Sequence, residues 1–160
     1  MALAVAREGM ERGELPIGAV VILDGKVIAS AYTQEVAQRR FLVHADLLAL
    51  EEADRLDPFP GRRRDAVLYV TLEPCLMCLG AAMSFFIGRV VFGLESPSDG
   101  ATVLVQTWER KEEDFPGYRV PAIEGGILRE ESAALFAEYV DRNPSGRFTA
   151  WAESLSKLGS

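Results

Sequence analysis

The stretch that decides the fold is residues 67–78, which read Val67-Leu68-Tyr69-Val70-Thr71-Leu72-Glu73-Pro74-Cys75-Leu76-Met77-Cys78. Its first half is apolar and rich in β-formers, which predicts a buried strand over residues 66–72. The apolar, small-residue run that begins at Cys75 predicts a helix over residues 75–86. Cysteines three positions apart share one face of a helical turn, and the dipole at a helix start favours the thiolate form. The centre of the predicted structure is therefore a strand that delivers two thiols to a helix start.

Helices and strands alternate on both sides of this unit. Helical spacing predicts further helices over residues 1–13, 45–55 and 127–140. Apolar runs predict further strands over residues 17–23, 26–29 and 89–94, with a short last strand over residues 118–123. The Asp24-Gly25 pair predicts a hairpin turn between the first two strands. Residues 33–43 are interpreted as a loop, and residues 101–108 fit either a helix or a strand.

Alternating strands and helices predict the fold class. A sheet covered by helices on both faces is the stable arrangement for this order of elements. The hairpin gives an antiparallel pair, whereas strands joined through helices can run parallel. We therefore predict an α/β fold, a three-layer α/β/α sandwich with a mixed five-stranded sheet. No repeat or linker divides the chain, so residues 1–160 are expected to form a single domain, with residues 142–160 as a C-terminal tail or short helix.

Composition excludes some function classes. The chain has 160 residues and a net charge of −7. This acidic balance argues against a protein that binds long nucleic acid through its phosphates. No apolar run approaches the roughly 20 residues that span a bilayer, so a transmembrane helix is not expected. The N-terminus carries no basic leader followed by an apolar segment, so a cytoplasmic location is expected. Two cysteines make a disulfide framework improbable.

The chain contains three soft metal donors, one imidazole and two thiols, on His44, Cys75 and Cys78. A catalytic zinc site uses three protein ligands and keeps a fourth position for water. His44 precedes one predicted helix and the cysteines open another, so both helix starts are expected to meet where sheet sites lie. We predict that these residues bind Zn²⁺, and that Asp46 shuttles protons between the zinc-activated water and a leaving amine.

Simpler interpretations of the same residues stay open. A lone histidine is more often structural than a ligand, and a C-x-x-C pair also occurs as a redox couple. Asp46 also fits the role of an acid at a helix start, where the dipole favours it. The arginines at positions 62–64 are interpreted as a solvated surface in a Pro/Gly loop.

Zinc nucleobase deaminases carry the signature H-x-E…P-C-x-x-C. Here the second half matches in full, and Asp46 stands where the signature has glutamate. The sequence resembles the cytidine-deaminase superfamily, closest to the branch of bacterial tRNA adenosine deaminases and guanine or cytosine deaminases. The resemblance is carried by residues 15–21, 69–78 and 87–93, and it spans roughly residues 1–140. It implies a cytidine deaminase-like fold, a zinc-activated water, hydrolytic release of ammonia and a homodimer.

The resemblance also implies substrate contacts. Glu14 precedes a segment that borders the pocket in relatives, although a solvated loop acid is an equal alternative. Thr33 lies where tRNA adenosine deaminases have an asparagine that contacts the base. The segment around Glu73 and Pro74 contacts substrate in the family, although both residues also suit a simple turn into the helix.

Departures from the family pattern direct the choice of substrate. Thr33, residues 40–43 and residues 96–98 all differ from the tRNA-deaminase pattern, and the segment after residue 141 holds few basic residues. We therefore predict a hydrolase of cyclic-amidine C–N bonds, a zinc deaminase acting on an aminated nucleobase, nucleoside or related heterocycle, with tRNA disfavoured as a partner. One alternative is a tRNA-specific adenosine deaminase that forms inosine at the wobble position. Another, motivated by Asp46, is a catalytically silent member that retains zinc.

Overall fold

Five strands form one mixed sheet in the computed structural model, which describes residues 1–56, 63–109 and 118–159. The strands are β1 (Gly18–Leu23), β2 (Lys26–Tyr32), β3 (Val67–Leu72), β4 (Arg89–Leu94) and β5 (Ala122–Glu124). Their order in the sheet is β2-β1-β3-β4-β5. β1 runs antiparallel to β2 and β3, whereas β4 runs parallel to β3 and β5. The predicted mixed five-stranded sheet is confirmed.

Seven α-helices accompany the sheet within the described ranges. They are α1 (Ala2–Glu11), α2 (Glu35–Gln38), α3 (Ala45–Leu56), α4 (Leu76–Ser84), α5 (Thr102–Gln106), α6 (Arg129–Arg142) and α7 (Thr149–Ser156). Short 3₁₀ turns lie at Arg63–Asp65 and Lys157–Gly159. None of the helices in these ranges is both long enough and apolar enough to cross a membrane.

The two faces of the sheet carry separate cores, because side chains alternate along each strand. On one face Leu68 and Val90 are fully buried in a cluster that includes Leu50 of α3 and Leu79 of α4. On the other face α1, α6 and α7 pack together around Phe136, which is also fully buried. Helices on both faces confirm the predicted three-layer α/β/α sandwich.

The hairpin between β1 and β2 forms where Asp24-Gly25 predicts it. Asp24 has φ 50° and Gly25 has φ 73°, so both central residues are left-handed. A two-residue type I′ turn requires positive φ at both positions, and its twist matches that of the strands. Leu23 therefore pairs directly with Lys26.

Several segments differ from the sequence-based expectation. The predicted loop over residues 33–43 contains the short helix α2, because the carboxylate of Glu14 accepts hydrogen bonds from the N–H groups of Val36 and Ala37 at its start. Within residues 101–108, which fitted helix or strand, Thr102–Gln106 form α5. The last strand occupies only residues 122–124 rather than residues 118–123. The C-terminal segment, for which a tail or a short helix was expected, contains the helix α7.

The arginines at positions 62–64 are only partly on the surface. Arg62 lies outside the described residues, and Arg64 is exposed. Arg63, in contrast, is 7% exposed and pairs with Asp54. Its guanidinium lies 4.6 Å from the centre of the Phe85 ring. The expectation of a solvated surface is therefore wrong for Arg63, since an aromatic face and a carboxylate together replace its hydration.

A substitution at Gly88 tests how closely the backbone packs before the start of β4. A Cβ at this position would lie 1.8 Å from the backbone carbonyl oxygen of Arg64, which cannot move independently of the fold. We expect Gly88→Ala to lower the free energy of unfolding by about 2–3 kcal/mol, the cost of overpacking. Chemical denaturation measures the change.

The matched control is Gly80→Ala on α4, where a Cβ would meet nothing within 4 Å. Alanine replaces glycine inside a helix there, so we expect a gain of about 0.5–1 kcal/mol. Equal effects of the two substitutions would contradict the described packing.

Candidate metal centre

The centre is built where two helix starts meet at the carboxyl end of β3. Glu73 and Pro74 carry the chain from β3 to Cys75, which is the N-cap residue of α4 with extended backbone. The carbonyl of Cys75 accepts the N–H of Leu79. His44 directly precedes α3, and its carbonyl accepts the N–H of Leu48. The backbone of both metal-donor residues, Cys75 and His44, is therefore fixed by the first hydrogen bond of the helix that follows it.

Three metal-donor side chains converge at this point. Nδ1 of His44 lies 3.6 Å from Sγ of Cys75 and 3.5 Å from Sγ of Cys78. The three ligand atoms all lie within 4.8 Å of one another. Zn–S bonds of about 2.3 Å and Zn–N bonds of about 2.1 Å in a tetrahedron place donors roughly 3.5–3.8 Å apart. The geometry and the donor chemistry therefore fit a zinc ion.

The donor set is that of a catalytic zinc site rather than a structural one. Structural zinc sites use four protein ligands, commonly cysteines and histidines, whereas catalytic sites use three. The whole chain contains one histidine and two cysteines, and all of them are in this group. Within the described residues, the group contains no carboxylate as a fourth member.

Hydrogen bonds among the three donor side chains shift their pKa values. Hydrogen bonds from Cys78 and His44 outweigh burial and lower the pKa of Cys75 to about 4. The same thiolate holds the proton on the imidazole, so the pKa of His44 is raised to about 9. Hydrogen bonding to Cys75, followed by burial, raises the pKa of Cys78. Near neutral pH the group is therefore a Cys75 thiolate between a Cys78 thiol and a His44 imidazolium.

Asp46 lies beside this group, one position into α3. Its side chain is 4% exposed, and Oδ1 accepts the N–H of Leu47 at 3.1 Å. Burial is the main cause that raises the pKa of the carboxyl, although a hydrogen bond with Cys78 opposes the change. A raised pKa suits a group that must both accept and return a proton. The catalytic role of Asp46 stays a prediction.

A cavity of about 270 Å³ opens onto the metal-donor group. His44, Asp46 and Cys75 are among its polar lining residues. Its apolar walls include Leu15 and Ile17, together with Val70 and Leu72 of β3. A concave, mainly apolar pocket with a few convergent polar groups is typical of a small-ligand or base-binding site.

Two of the four predicted substrate-binding residues line this cavity. Thr33 is fully buried, with Oγ1 3.1 Å from Oε2 of Glu35 and 3.2 Å from the carbonyl oxygen of Val43. Glu73 also lines it, but its two carboxylate oxygens accept the N–H groups of Ser96 and Thr102, each at 3.0 Å. Glu73 therefore fixes the backbone after β4. Substrate binding by Thr33 and Glu73 stays a prediction.

The other two predicted substrate-binding residues, Glu14 and Pro74, are not among the residues that line the cavity. Glu14 is 1% exposed, and both of its oxygens accept backbone N–H groups of α2. Pro74 is buried, and its carbonyl accepts the N–H of Ala101. The structure gives both residues a supporting position behind the pocket wall, and any contact with substrate stays a prediction.

The structure adds site residues that sequence reasoning missed. Glu35 of α2 places Oε1 3.9 Å from Nε2 of His44, on the side opposite the thiols. Trp151 of α7 and its neighbour Phe148 also line the cavity. The indole N–H of Trp151 donates to Oγ of Ser98 at 3.1 Å. Glu35 gave no local signal because its segment looked like a loop. Trp151 is one of two tryptophans, but it lies in a segment for which a tail or a short helix was expected.

Comparison with known proteins shows the family of the chain. Residues 1–94 match the family model described as the cytidine and deoxycytidylate deaminase zinc-binding region. The chain is 34% identical to a tRNA-specific adenosine deaminase of Bacillus subtilis (strain 168), over 86% of this chain and 83% of the relative. It is also 34% identical to a tRNA-specific adenosine deaminase of Agrobacterium fabrum (strain C58), over 87% of this chain and 89% of the relative.

A solved structure matches as well. It comes from a study of A-to-I editing by tRNA:A34 deaminases at the wobble position of transfer RNA. The match has a TM-score of 0.68 and 35% identity, and it covers 84% of this chain and 94% of the other. The fold, the donor set and the family match agree, and the chain belongs to the cytidine and deoxycytidylate deaminase zinc-binding family. It is a zinc-dependent hydrolytic deaminase.

The relatives correct the expectation about partners. The sequence analysis preferred a small heterocycle and disfavoured tRNA, whereas the relatives at 34% identity are tRNA-specific adenosine deaminases. That preference was wrong. Net charge sums over the whole surface, but phosphates respond to charges within about 8–10 Å of them at ordinary salt. A chain with a net charge of −7 can therefore still present cations where a nucleic acid would touch it.

Glu35 offers a test of how the imidazole is held. A carboxylate on the far nitrogen of a zinc-bound histidine fixes its orientation and raises its basicity. We expect Glu35→Gln to weaken zinc binding about 10- to 100-fold, measured by competition with a chromogenic chelator. Glu51→Gln, at an exposed position on α3, is the matched control and should bind zinc like the native protein. Native affinity in Glu35→Gln would show that the carboxylate does not support the site.

Zinc binding should also release protons. Because His44 is an imidazolium below about pH 9 and Cys78 is a thiol, zinc must displace one proton from each of them. We expect about two protons released per zinc at pH 7, and weaker binding as the pH falls. Calorimetry in buffers of different ionisation enthalpy counts the protons. Zinc binding without proton release would contradict the described network.

Proposed function

We propose that this chain deaminates adenosine to inosine at the wobble position of tRNA. The observation that carries the proposal is the His44–Cys75–Cys78 group beside a buried carboxylate, in a chain 34% identical over most of its length to tRNA-specific adenosine deaminases. The overall reaction consumes one water and releases one ammonia, so the amino group of adenine is replaced by oxygen.

The proposed roles of the site residues follow from the geometry. His44, Cys75 and Cys78 would hold the zinc ion, which when bound activates water for attack on the amino-bearing carbon. Asp46 would take the proton of that water on its carboxylate and return a proton to the departing ammonia. The apolar walls at Leu15 and Ile17 would bind the faces of the base and exclude bulk water.

The aspartate is the main departure from the family pattern, since its stem is one methylene shorter than that of glutamate. Asp46 nevertheless lines the same cavity as His44 and Cys75. Its burial and its hydrogen bond with Cys78 hold the carboxylate next to the donors. We therefore propose a catalytically active protein rather than the silent, zinc-retaining alternative.

The assembly and the location complete the proposal. A homodimer and a cytoplasmic location stay predictions from the sequence and the family resemblance. We also propose that residues 1–160 form one deaminase domain, because helices α1, α6 and α7 share one core with strand residues of the same sheet.

Asp46 gives the sharpest test of mechanism. Asp46→Asn keeps the size of the side chain but removes the base, so we expect kcat to fall about 10²- to 10⁴-fold. The control is Asp141→Asn, an exposed position on α6, which should leave kcat unchanged. Zinc content is measured for each protein, so that loss of metal is not mistaken for loss of the base. A native protein without turnover would support the silent alternative.

The substrate is tested separately. The zinc-loaded native protein is incubated with tRNA transcripts that carry adenosine or guanosine at the wobble position, and inosine is measured after nuclease digestion. We expect inosine only from the adenosine-bearing transcript. Ammonia release from free adenine, guanine and cytosine is followed in parallel. Release from a free base, with no inosine in tRNA, would overturn the proposal.

A further inference from the structure

A second cavity, of about 420 Å³, opens beside the metal pocket. One side is formed by Arg39, Arg40 and Phe41, which follow α2, and the other by Arg147 and Phe148, which precede α7. We call it the arginine cavity. Glu35 and Phe148 line both cavities, so the two are neighbours that share a wall. A polymeric ligand with one unit at the metal centre would therefore have an adjacent unit here.

The three arginines of this cavity differ from most others in the described part of the chain. Most of those other arginines pair with a carboxylate, as Arg89 does with Glu124 and Arg129 with Glu95. Arg39, Arg40 and Arg147 are exposed, and within residues 1–56, 63–109 and 118–159 none of them lies within ion-pair distance of a carboxylate. Cations left unpaired in a protein of net charge −7 form a local positive site.

Among the described residues, Glu35 is the one carboxylate that lines the arginine cavity, and it does not neutralise these arginines. Oε1 of Glu35 lies 3.9 Å from Nε2 of His44, and Oε2 lies 3.1 Å from Oγ1 of Thr33. Both oxygens are thus directed to the metal pocket. The side chain of Arg40 donates to the amide oxygen of Gln38, which is neutral. The positive charge of the cavity is therefore available to an anion.

Aromatic rings accompany this charge. Phe41 is 65% exposed, an unusual position for a large aromatic side chain. The guanidinium of Arg147 lies 5.3 Å from the centre of the Phe41 ring and 5.6 Å from that of Phe148. Aromatic faces and guanidinium planes are the surfaces on which unpaired bases stack, and arginine edges bind phosphate. Cations next to an exposed ring favour a single-stranded nucleotide over a simple anion.

We propose that the arginine cavity binds the nucleotide adjacent to the target adenosine. Arg39, Arg40 and Arg147 contact the phosphodiester, and Phe41 stacks on the base. The inference rests on the proposed tRNA activity and adds to it the surface that holds the RNA. It explains how an acidic chain binds a polyanion, because the contact is made by a few unpaired cations beside the metal pocket.

The test uses the zinc-loaded full chain and an RNA stem-loop with adenosine at the wobble position of its anticodon loop. The triple variant Arg39→Gln/Arg40→Gln/Arg147→Gln is compared with the native protein by fluorescence anisotropy over a salt series. We expect binding to weaken at least about tenfold at moderate salt. The slope of log K against log salt should fall by up to about 2, since each lost single-strand phosphate contact contributes about 0.7.

Arg64→Gln is the matched control. It removes one positive charge, as each substitution of the triple variant does, from an exposed arginine before β3, at the end of that strand opposite Cys75. Phe41→Ala separates stacking from charge: we expect about tenfold weaker binding with an unchanged salt slope. Zinc content and thermal unfolding, measured for every variant, show that the metal centre and the fold are retained.

The outcomes distinguish this inference from the proposed function. If the native protein forms inosine in tRNA but the triple variant binds RNA with native affinity and slope, the arginine cavity is not the RNA site. The same conclusion follows if Arg64→Gln loses as much affinity as the triple variant. If the native protein neither binds nor deaminates tRNA, the proposed function fails and this inference fails with it.

Discussion

The meeting of one imidazole and two thiols is the constraint on which the rest of this structure depends. His44 and Cys75 are 31 positions apart in the chain, yet Nδ1 and Sγ lie 3.6 Å apart. The sheet enforces this approach, because β3 delivers the cysteines at its carboxyl end and α3 packs against β1 and β2 on the same face as α4. The three donor atoms all lie within 4.8 Å of one another, a spacing that fits a zinc ion.

Three buried or half-buried glutamates support this centre from different directions. Glu14 accepts two backbone N–H groups at the start of α2, and α2 in turn carries Glu35 to the far side of His44. Glu73 accepts two backbone N–H groups from the segment between β4 and α5. Each carboxylate satisfies donors that would be costly to bury alone. Some of the acidic residues of the chain therefore lie inside the fold, where their hydrogen bonds position the segments around the pocket.

This use of charge explains why composition misled the choice of substrate. Counting residues gives a net charge of −7, but counting does not reveal which charges are paired or buried. Many acidic side chains face arginines in surface pairs, while three arginines beside the metal pocket face none within the described ranges. The charges that matter for binding are those near the ligand, because at ordinary salt an exposed charge more than about 8–10 Å away is largely screened.

The sequence by itself determined the sheet, the two helix starts that carry the metal donors and the three donors themselves, because these follow from periodicity, turn chemistry and ligand chemistry within short windows. The Asp24-Gly25 turn, the strand before Pro74 and the Cys75/Cys78 spacing are of this kind. Only the tertiary structure decided the roles of Glu14 and Trp151, whose hydrogen-bond partners lie 22 to 53 positions away. The same holds for Glu35, whose carboxylate faces the imidazole of His44. Such contacts arise when the sheet closes distances that no local pattern encodes. The same reason applies to α7: its sequence fits a tail as well as a short helix, and Phe136 and the pocket give Trp151 a surface to pack on.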